Sequence, residues 1–347
     1  MSDPTPTKAP EAPASDSAPV KASSGIMPFL RKIGVENVAL VFAIIALAGV
    51  IGSQNASFFK PANIAAIGNY VVIMGLLAVV QTVVIIMGGI DISVGSIAGL
   101  SSVLAGMIFA SSSNWAFSMI VPLAVGAVCG LFNGCVVIFG RITPLIATLA
   151  TLSSYKGIAQ LVSNGRAQGY TGADPVYIFF ARGSVLFIPA LVWVLIIVAA
   201  LIHVMLRYTR VGRDIYAVGG NDMAARLSGI NVNQRILTVF VLAGVVAAIA
   251  GILITARTGS GQPVSGSEGM EMLAVTGAAL GGAALRGGKG SIISTIFAVI
   301  LLGVLMNGMT LLGINPFWQN IAQGALLISA VVIQQLSSGE RRVGLPK

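Results

Sequence analysis

Ten times between residues 37 and 336 the sequence returns to a run of mostly apolar residues, beginning with VALVFAIIALAGVIG from Val38 to Gly52. About 18–20 such residues suffice to cross the hydrocarbon core of a bilayer as one helix. Within that core every backbone N–H and C=O must be satisfied by the protein itself, so a chain patterned this way folds as helices. The runs cover roughly 37–54, 64–88, 95–111, 117–139, 144–163, 185–206, 236–256, 272–285, 290–312 and 316–336, and the eighth is short and glycine-rich. Only 9% of residues are charged, 56% are hydrophobic and mean hydropathy is +0.93, far from the about 25% charge of soluble domains. The expected fold is an all-α membrane protein of about ten transmembrane helices.

The net charge of +9 contains no basic run longer than two residues. A nucleic-acid partner is therefore not expected, because neutralising phosphates needs a clustered basic face. Alternating the connections between two sides puts Lys60, Arg166, Arg182 and Arg257 on one side, with Lys156 inside the fifth run towards it, and leaves fifteen of the twenty Lys and Arg residues on the other. Cytoplasmic loops carry such an excess, so both termini are expected in the cytoplasm. Residues 1–30, opening with the Pro-, Ala- and Ser-rich MSDPTPTKAPEAPASDSAPVKASSG, read as a disordered cytoplasmic tail. Residues 31–340 form the transmembrane domain and 341–347 a second cytoplasmic tail. Arg31-Lys32 before an apolar run also fits a secretory signal, but the long tail ahead of it and the many later runs favour an uncleaved first helix.

Several functions lack the residues they need. Cys129 and Cys135 lie six apart in one run and point in divergent directions on a helix. His203 is the sole histidine, which leaves no metal constellation and no base for an intramembrane nucleophile; neither catalysis nor a cofactor is expected. The stretch Gly281–Gly290, GGAALRGGKG, has Ala283 where a phosphate loop needs glycine and Gly290 where it needs Ser or Thr. Active transport would thus draw its energy from a partner. Ion-driven carriers usually place acids at depth, and Asp91 is the one candidate. Asn133-Gly134 followed by Ile142-Thr143-Pro144 is echoed by Asn307-Gly308 followed by Ile314-Asn315-Pro316. With the two copies on opposite faces, this is how an inverted repeat of a transporter looks.

The segment MGGIDISVGS, Met87 to Ser96, breaks the apolar pattern with three glycines and an aspartate. Gly88 and Gly89 permit a turn, Asp91 or Ser93 is placed to cap the following helix, and Gly95 with Gly99 lets a neighbouring helix approach closely. Two compatible readings stand: a capped helix break, and a break that lines the pathway and moves as a gate. Polar residues within the runs that are candidates for lining a passage are Gln81, Asn133, Thr148, Ser153, Thr276, Asn307 and Gln323. In the outer loops Glu268, Glu271, Arg166, Arg182 and Arg257 are candidates for steering a docking protein.

The longest inward connection, 207–235, holds a short helix over Asp222–Leu227, entered through Gly219-Gly220-Asn221 and closed at Gly229. Two turns are marginal alone in water, so the helix rests on its own protein or inserts into a partner.

GGIDISVGS, RVGRDIYAVGGNDMAARLSGINV, LGGAALRGGKGS and INPFWQNIAQGALL together resemble the permease subunits of bacterial ATP-binding-cassette importers for ribose, galactose, xylose and related monosaccharides, over about residues 37–340. Leu273 stands where members often carry an acidic residue. The resemblance implies a bacterial inner-membrane permease paired with a second permease copy, a cytoplasmic ATPase and a periplasmic sugar-binding protein. It implies that Arg213, Gly219, Gly220, Asn221, Asp222, Ala224, Arg226, Leu227 and Gly229 belong to the loop gripped by the ATPase. The alternative is a secondary carrier or facilitator for a small neutral solute.

Overall fold

The computed structural model describes residues 35–263 and 267–337, so the two expected tails, 1–30 and 341–347, lie outside the described residues. Among the described residues nine helices are long and apolar enough to cross a membrane: α1 (Val35–Gln54), α2 (Pro61–Ile86), α3 (Val94–Ser112), α4 (Trp115–Gly140), α5 (Pro144–Ser163), α7 (Ala190–Tyr208), α10 (Val232–Thr258), α12 (Ile292–Leu311) and α13 (Pro316–Ser337). Shorter helices are α6 (Pro175–Arg182), α8 (Arg210–Gly220), α9 (Asp222–Leu227) and α11 (Met270–Leu280). The all-α expectation holds, with a two-residue hairpin, Ser184–Val185 against Ile188–Pro189, as its small exception. That hairpin turns through Leu186 and Phe187, so the sixth long helix begins at Ala190 rather than 185.

Local chemistry explains most boundaries. Pro61, Pro144, Pro175 and Pro316 open their helices, where a missing N–H costs nothing. Asn114 Oδ1 accepts from the N–H of Ala116 (2.9 Å) and Phe117 (3.2 Å), and Asp174 caps α6 in the same way. Every residue of α2 from Val71 to Ile86 is buried, as expected of a helix that is apolar all round. Around it pack α7, α10, α11 and α12.

The helix ends define two faces of the bundle. At one, the basic end, the end of α2, the start of α5, α8, α9 and residues 281–291 converge: Gly288 N donates to Ile86 O at 2.8 Å, and a Cβ on Gly89 would stand 3.3 Å from Pro144 Cβ. The start of α1 and the end of α13 lie there too, since Ala39, Leu40, Lys289 and Gln334 share one cleft. At the opposite end Asn55 Nδ2 donates to Leu311 O at 3.2 Å, joining the end of α1 to that of α12.

One crossing is made in pieces. α11 has 11 residues, about 16 Å at 1.5 Å per residue, against a core of about 30 Å. The expected eighth span is therefore half a helix. Before it a descending segment, described over 259–263 and 267–269, runs from the opposite end along a stripe of α3: a Cβ on Gly106 would meet Gln168 O and Gly261 N, and one on Gly99 would stand 2.7 Å from Ser267 Oγ and 3.0 Å from Pro263 O. Gly95 and Gly99 were expected to admit a helix. Gly95 faces Glu271 in the first turn of α11 and Gly99 faces Ser267 and the backbone of Pro263, because bare Cα positions allow main chain to approach with its own groups still bonded, as in Gln262 N to Ser102 Oγ at 2.9 Å.

α4 and α10 touch through glycine: a Cβ on Gly244 would overlap Gly126 O, and one on Gly130 would overlap Phe240 O. Overpacking a tight contact costs about 1–3 kcal/mol. Gly244→Val is expected to lower the unfolding midpoint of the detergent-solubilised chain by several degrees, whereas Gly157→Val, with nothing within 4 Å, is expected to leave it unchanged; fluorescence-monitored thermal melting checks both.

Candidate functional site: the broken segment and the basic-end loop

Between Ile86 and Val94 the chain is non-helical yet almost wholly buried, Asp91 and Ser93 completely so. Gly88 has φ +93° and closes α2 through its N–H on Ile85 O at 2.8 Å. The chain then climbs beside α5, where Thr148 Oγ1 donates to Ile90 O (3.2 Å) and accepts from Ile92 N (3.3 Å). The Gln81 amide, in the orientation that satisfies both neighbours, donates to Asp91 O at 2.9 Å and accepts from Asp91 N at 3.2 Å. Two residues expected along the passage thus substitute for the missing backbone partners of the break.

Asp91 does not cap α3. Its Oδ1 accepts from Ser93 N (2.8 Å) and Ser93 Oγ (2.6 Å), while Oδ2 is buried without a partner. Ser93 is the first residue flanking the helix and makes no capping bond with its side chain. Its φ of −79° and ψ of −11° are helical, so its oxygen turns back to Asp91 rather than forward to the free N–H groups. Ser93 Oγ also accepts from Asn133 Nδ2 at 2.8 Å, and Asn133 Oδ1 accepts from Tyr155 OH at 3.0 Å. Tyr155 OH reaches Cys129 O as well, at 3.0 Å. A buried polar chain therefore ties the break to α4 and α5. Tyr155 was missed in the sequence because one tyrosine in an apolar run carries no pattern.

The break and the descending segment meet at the start of α3, where a Cβ on Gly95 would overlap Glu271 Oε2. Beside them Lys156 Nζ pairs with Glu268 Oε1 at 2.7 Å, the side chains 38% and 63% exposed. Lys156 lies twelve residues beyond Pro144, about 18 Å from the basic end. Glu268 and Glu271, expected in an outer loop, lie against α5 and α3.

The other candidates scatter. Thr276 is buried, its hydroxyl bonded to Met272 O within α11 (2.8 Å). Asn307 and Asn63 exchange amide bonds at 3.0 Å. Ser153 is exposed on α5 and Gln323 half-buried on α13. Arg166 and Arg182 are exposed at the opposite end, while Arg257 is half-buried and lines a cavity.

At the basic end, Asn221 Oδ1 accepts from Ala224 N at 2.9 Å and starts α9, and Gly229 beyond it has φ +83°. Within α9 only Ala225 is buried; Met223 is 63% and Leu227 85% exposed, four apart on one face. The sequence had not revealed α8, which carries α9. It is braced by Asp214 to Arg235 of α10 (2.8 Å) and by Tyr216 OH donating to Gly290 O (2.8 Å). Burial raises the Tyr216 phenol above its ordinary pKa, with Arg207 opposing, so it stays a donor. Arg213 shares a cleft of about 480 Å³ with His203, Arg207 and Gly290. A Cβ on Gly219 would overlap Ile86 O, whereas Gly220 has open space around it.

Residues 63–331 match the family described as branched-chain amino acid transport system / permease component. The chain is 36% identical over 312 residues to the ribose import permease protein of Escherichia coli (strain K12), covering 89% of this chain and 97% of that one. It is 36% identical over 289 residues to the ribose import permease protein of Bacillus subtilis (strain 168), covering 83% and 89%. It is 33% identical over 313 residues to the D-allose transport system permease protein of Escherichia coli (strain K12), covering 90% and 95%. No solved structure matches.

Removing one member of the buried chain strands its neighbours, at about 1–3 kcal/mol per unsatisfied group. Ser93→Ala is expected to destabilise the chain by that amount, and Ser93→Ala with Asn133→Ala by clearly less than the sum of the singles; a double-mutant cycle on unfolding midpoints in detergent measures the difference.

Proposed function

This chain belongs to the family of transport-system permease components matched over 63–331, and we propose that it is the membrane permease of an ATP-binding-cassette importer that passes a neutral monosaccharide into a bacterial cell. Relatives over most of its length are sugar import permeases, which favours this reading over a secondary carrier. ATP is hydrolysed on a separate cytoplasmic subunit and the sugar arrives on a periplasmic binding protein. The basic end faces the cytoplasm, as the positive-inside rule supports, and Arg166 and Arg182 at the other end steer the binding protein.

The observation that carries the coupling is the seat of α8 and α9. α9 offers Met223 and Leu227 outward, an apolar pair suited to a groove in the ATPase. Behind it Gly219 sits on the carbonyl of Ile86, the last residue of α2 before the break. A push on α9 therefore reaches the buried segment Gly88–Gly95 through one backbone contact, and that segment acts as the gate.

A second copy completes the passage. Lys156 and Glu268 are exposed near mid-depth, where lipid does not accept charge cheaply, so this side of α5 faces water or protein. α5 and α13 are the least apolar of the long helices and among the least buried, and Ser153 and Gln323 lie on them. The order α2, break, α3, α4, α5 recurs as α10, descending segment, α11, α12, α13, which supports an inverted repeat about the point where Gly95 meets Glu271.

Gly220 separates docking from folding, since a side chain there meets nothing within 4 Å. In proteoliposomes with its ATPase and binding protein, Gly220→Trp is expected to cut sugar uptake more than tenfold and to abolish stimulation of ATP hydrolysis by loaded binding protein, with an unchanged melting midpoint. Normal uptake would remove this loop from the coupling role.

A further inference from the structure

α11 begins at Met270 and so runs along only part of the length of α2 and α12. A Cβ on Gly277 would stand 3.2 Å from Ala78 Cβ and 3.0 Å from Val299 Cγ2. Seven residues back, about 10 Å higher, Met270 is level with Val71 of α2 and Met306 of α12. Just beyond lies a cavity of about 450 Å³, lined among others by Asn69, Tyr70, Arg257, Asn307, Thr310 and Gln319. Its size falls within the about 300–1,000 Å³ of small-molecule sites.

Its polar groups are not all spent on one another. Gln319 Nε2 is bonded to Thr310 Oγ1 at 3.0 Å and Asn307 to Asn63. Asn69 Oδ1 is buried without a hydrogen-bond partner. The ion pairs among the described residues join Lys156 to Glu268 and Arg235 to Asp214, and neither includes Arg257. A buried acceptor left unbonded is costly, and a guanidinium offers donors only. An anion would pair with Arg257 and leave Asn69 Oδ1 unmet; a cation would be repelled. A hydroxyl both donates and accepts, and the face of Tyr70 suits an apolar ring surface.

We infer that this cavity is a solute site, in which Asn69, Arg257 and Tyr70 hold a neutral polyhydroxylated ring on its way from the opposite end toward the break. The inference rests on the proposed import function and reassigns Arg257 from a docking residue to a ligand-binding one.

Two measurements test it. In proteoliposomes containing the whole importer, uptake is followed for D-ribose, D-allose, D-fructose and L-arabinose. With whichever sugar the unaltered chain carries, Asn69→Ala and Arg257→Gln are expected to lower uptake at least tenfold at equal membrane abundance, and Arg257→Lys to restore part of it. Separately, Ala66→Cys at the cavity wall, with Cys129 and Cys135 replaced by Ala, is labelled by a membrane-impermeant maleimide. The transported sugar is expected to slow that labelling at least threefold, and Asn69→Ala to remove the protection. The labelling first compares chains with native Asn69 and Arg257, so it decides the matter even if the other variants assemble poorly. Uptake within twofold of the unaltered chain in both variants, or no protection by a sugar that is carried, overturns the site and leaves the import function standing. Uptake of none of the four sugars overturns the import reading, and the site with it.

Discussion

Every unusual feature of this chain follows from the demand that backbone groups at depth be bonded inside the protein. Where α2 stops at Ile86 and α3 has not begun, the main chain has no helical partners. Gln81 and Thr148 supply them from neighbouring helices, and the chain from Asp91 through Ser93 and Asn133 to Tyr155 anchors the side chains. The same demand shapes the descending segment, where Gln168 and Gly261 exchange backbone bonds at 2.8 and 2.9 Å against the bare flank of α3. A helix break in lipid is possible only with such substitutes, which is why polar residues gather around both breaks.

Glycine makes these substitutions mechanical as well as chemical. At the basic end Gly88, Gly219 and Gly287 bring three turns from distant parts of the chain into backbone contact. Contacts without side chains are stiff, because there are no rotamers to absorb a displacement. In the proposed importer, motion of α9 is therefore passed to the α2 break with little slack. In the proposed importer the exposed ion pair Lys156–Glu268 belongs to the same design, for its charges call for water or a second protein surface rather than lipid beside that flank.

Much of this was legible beforehand. The long helices appear where the apolar runs predict them, the short helix Asp222–Leu227 ends where its cap and glycine place it, and the break at Gly88–Gly95 falls where three glycines and an aspartate interrupt the pattern. What misled was partnership. Asp91 reads as a cap because carboxylates at helix starts usually are caps, but Ser93 is closer and takes the bond. The contacts of Glu268 with Lys156 and of Glu271 with Gly95 were not readable either, because nothing in their neighbourhood of the sequence reveals a glycine stripe on α3.

By itself the sequence determined where the long helices run and where the chain breaks between them, since these depend on local propensity and on the length of chain that hydrocarbon requires. Only the tertiary structure decided that the eighth crossing is half a helix, that Asn69, Tyr70 and Arg257 line one cavity, and that Gly219 rests on Ile86. Those outcomes turn on which distant backbone approaches which bare Cα, and a contact between residues more than a hundred positions apart leaves no periodic trace in the chain.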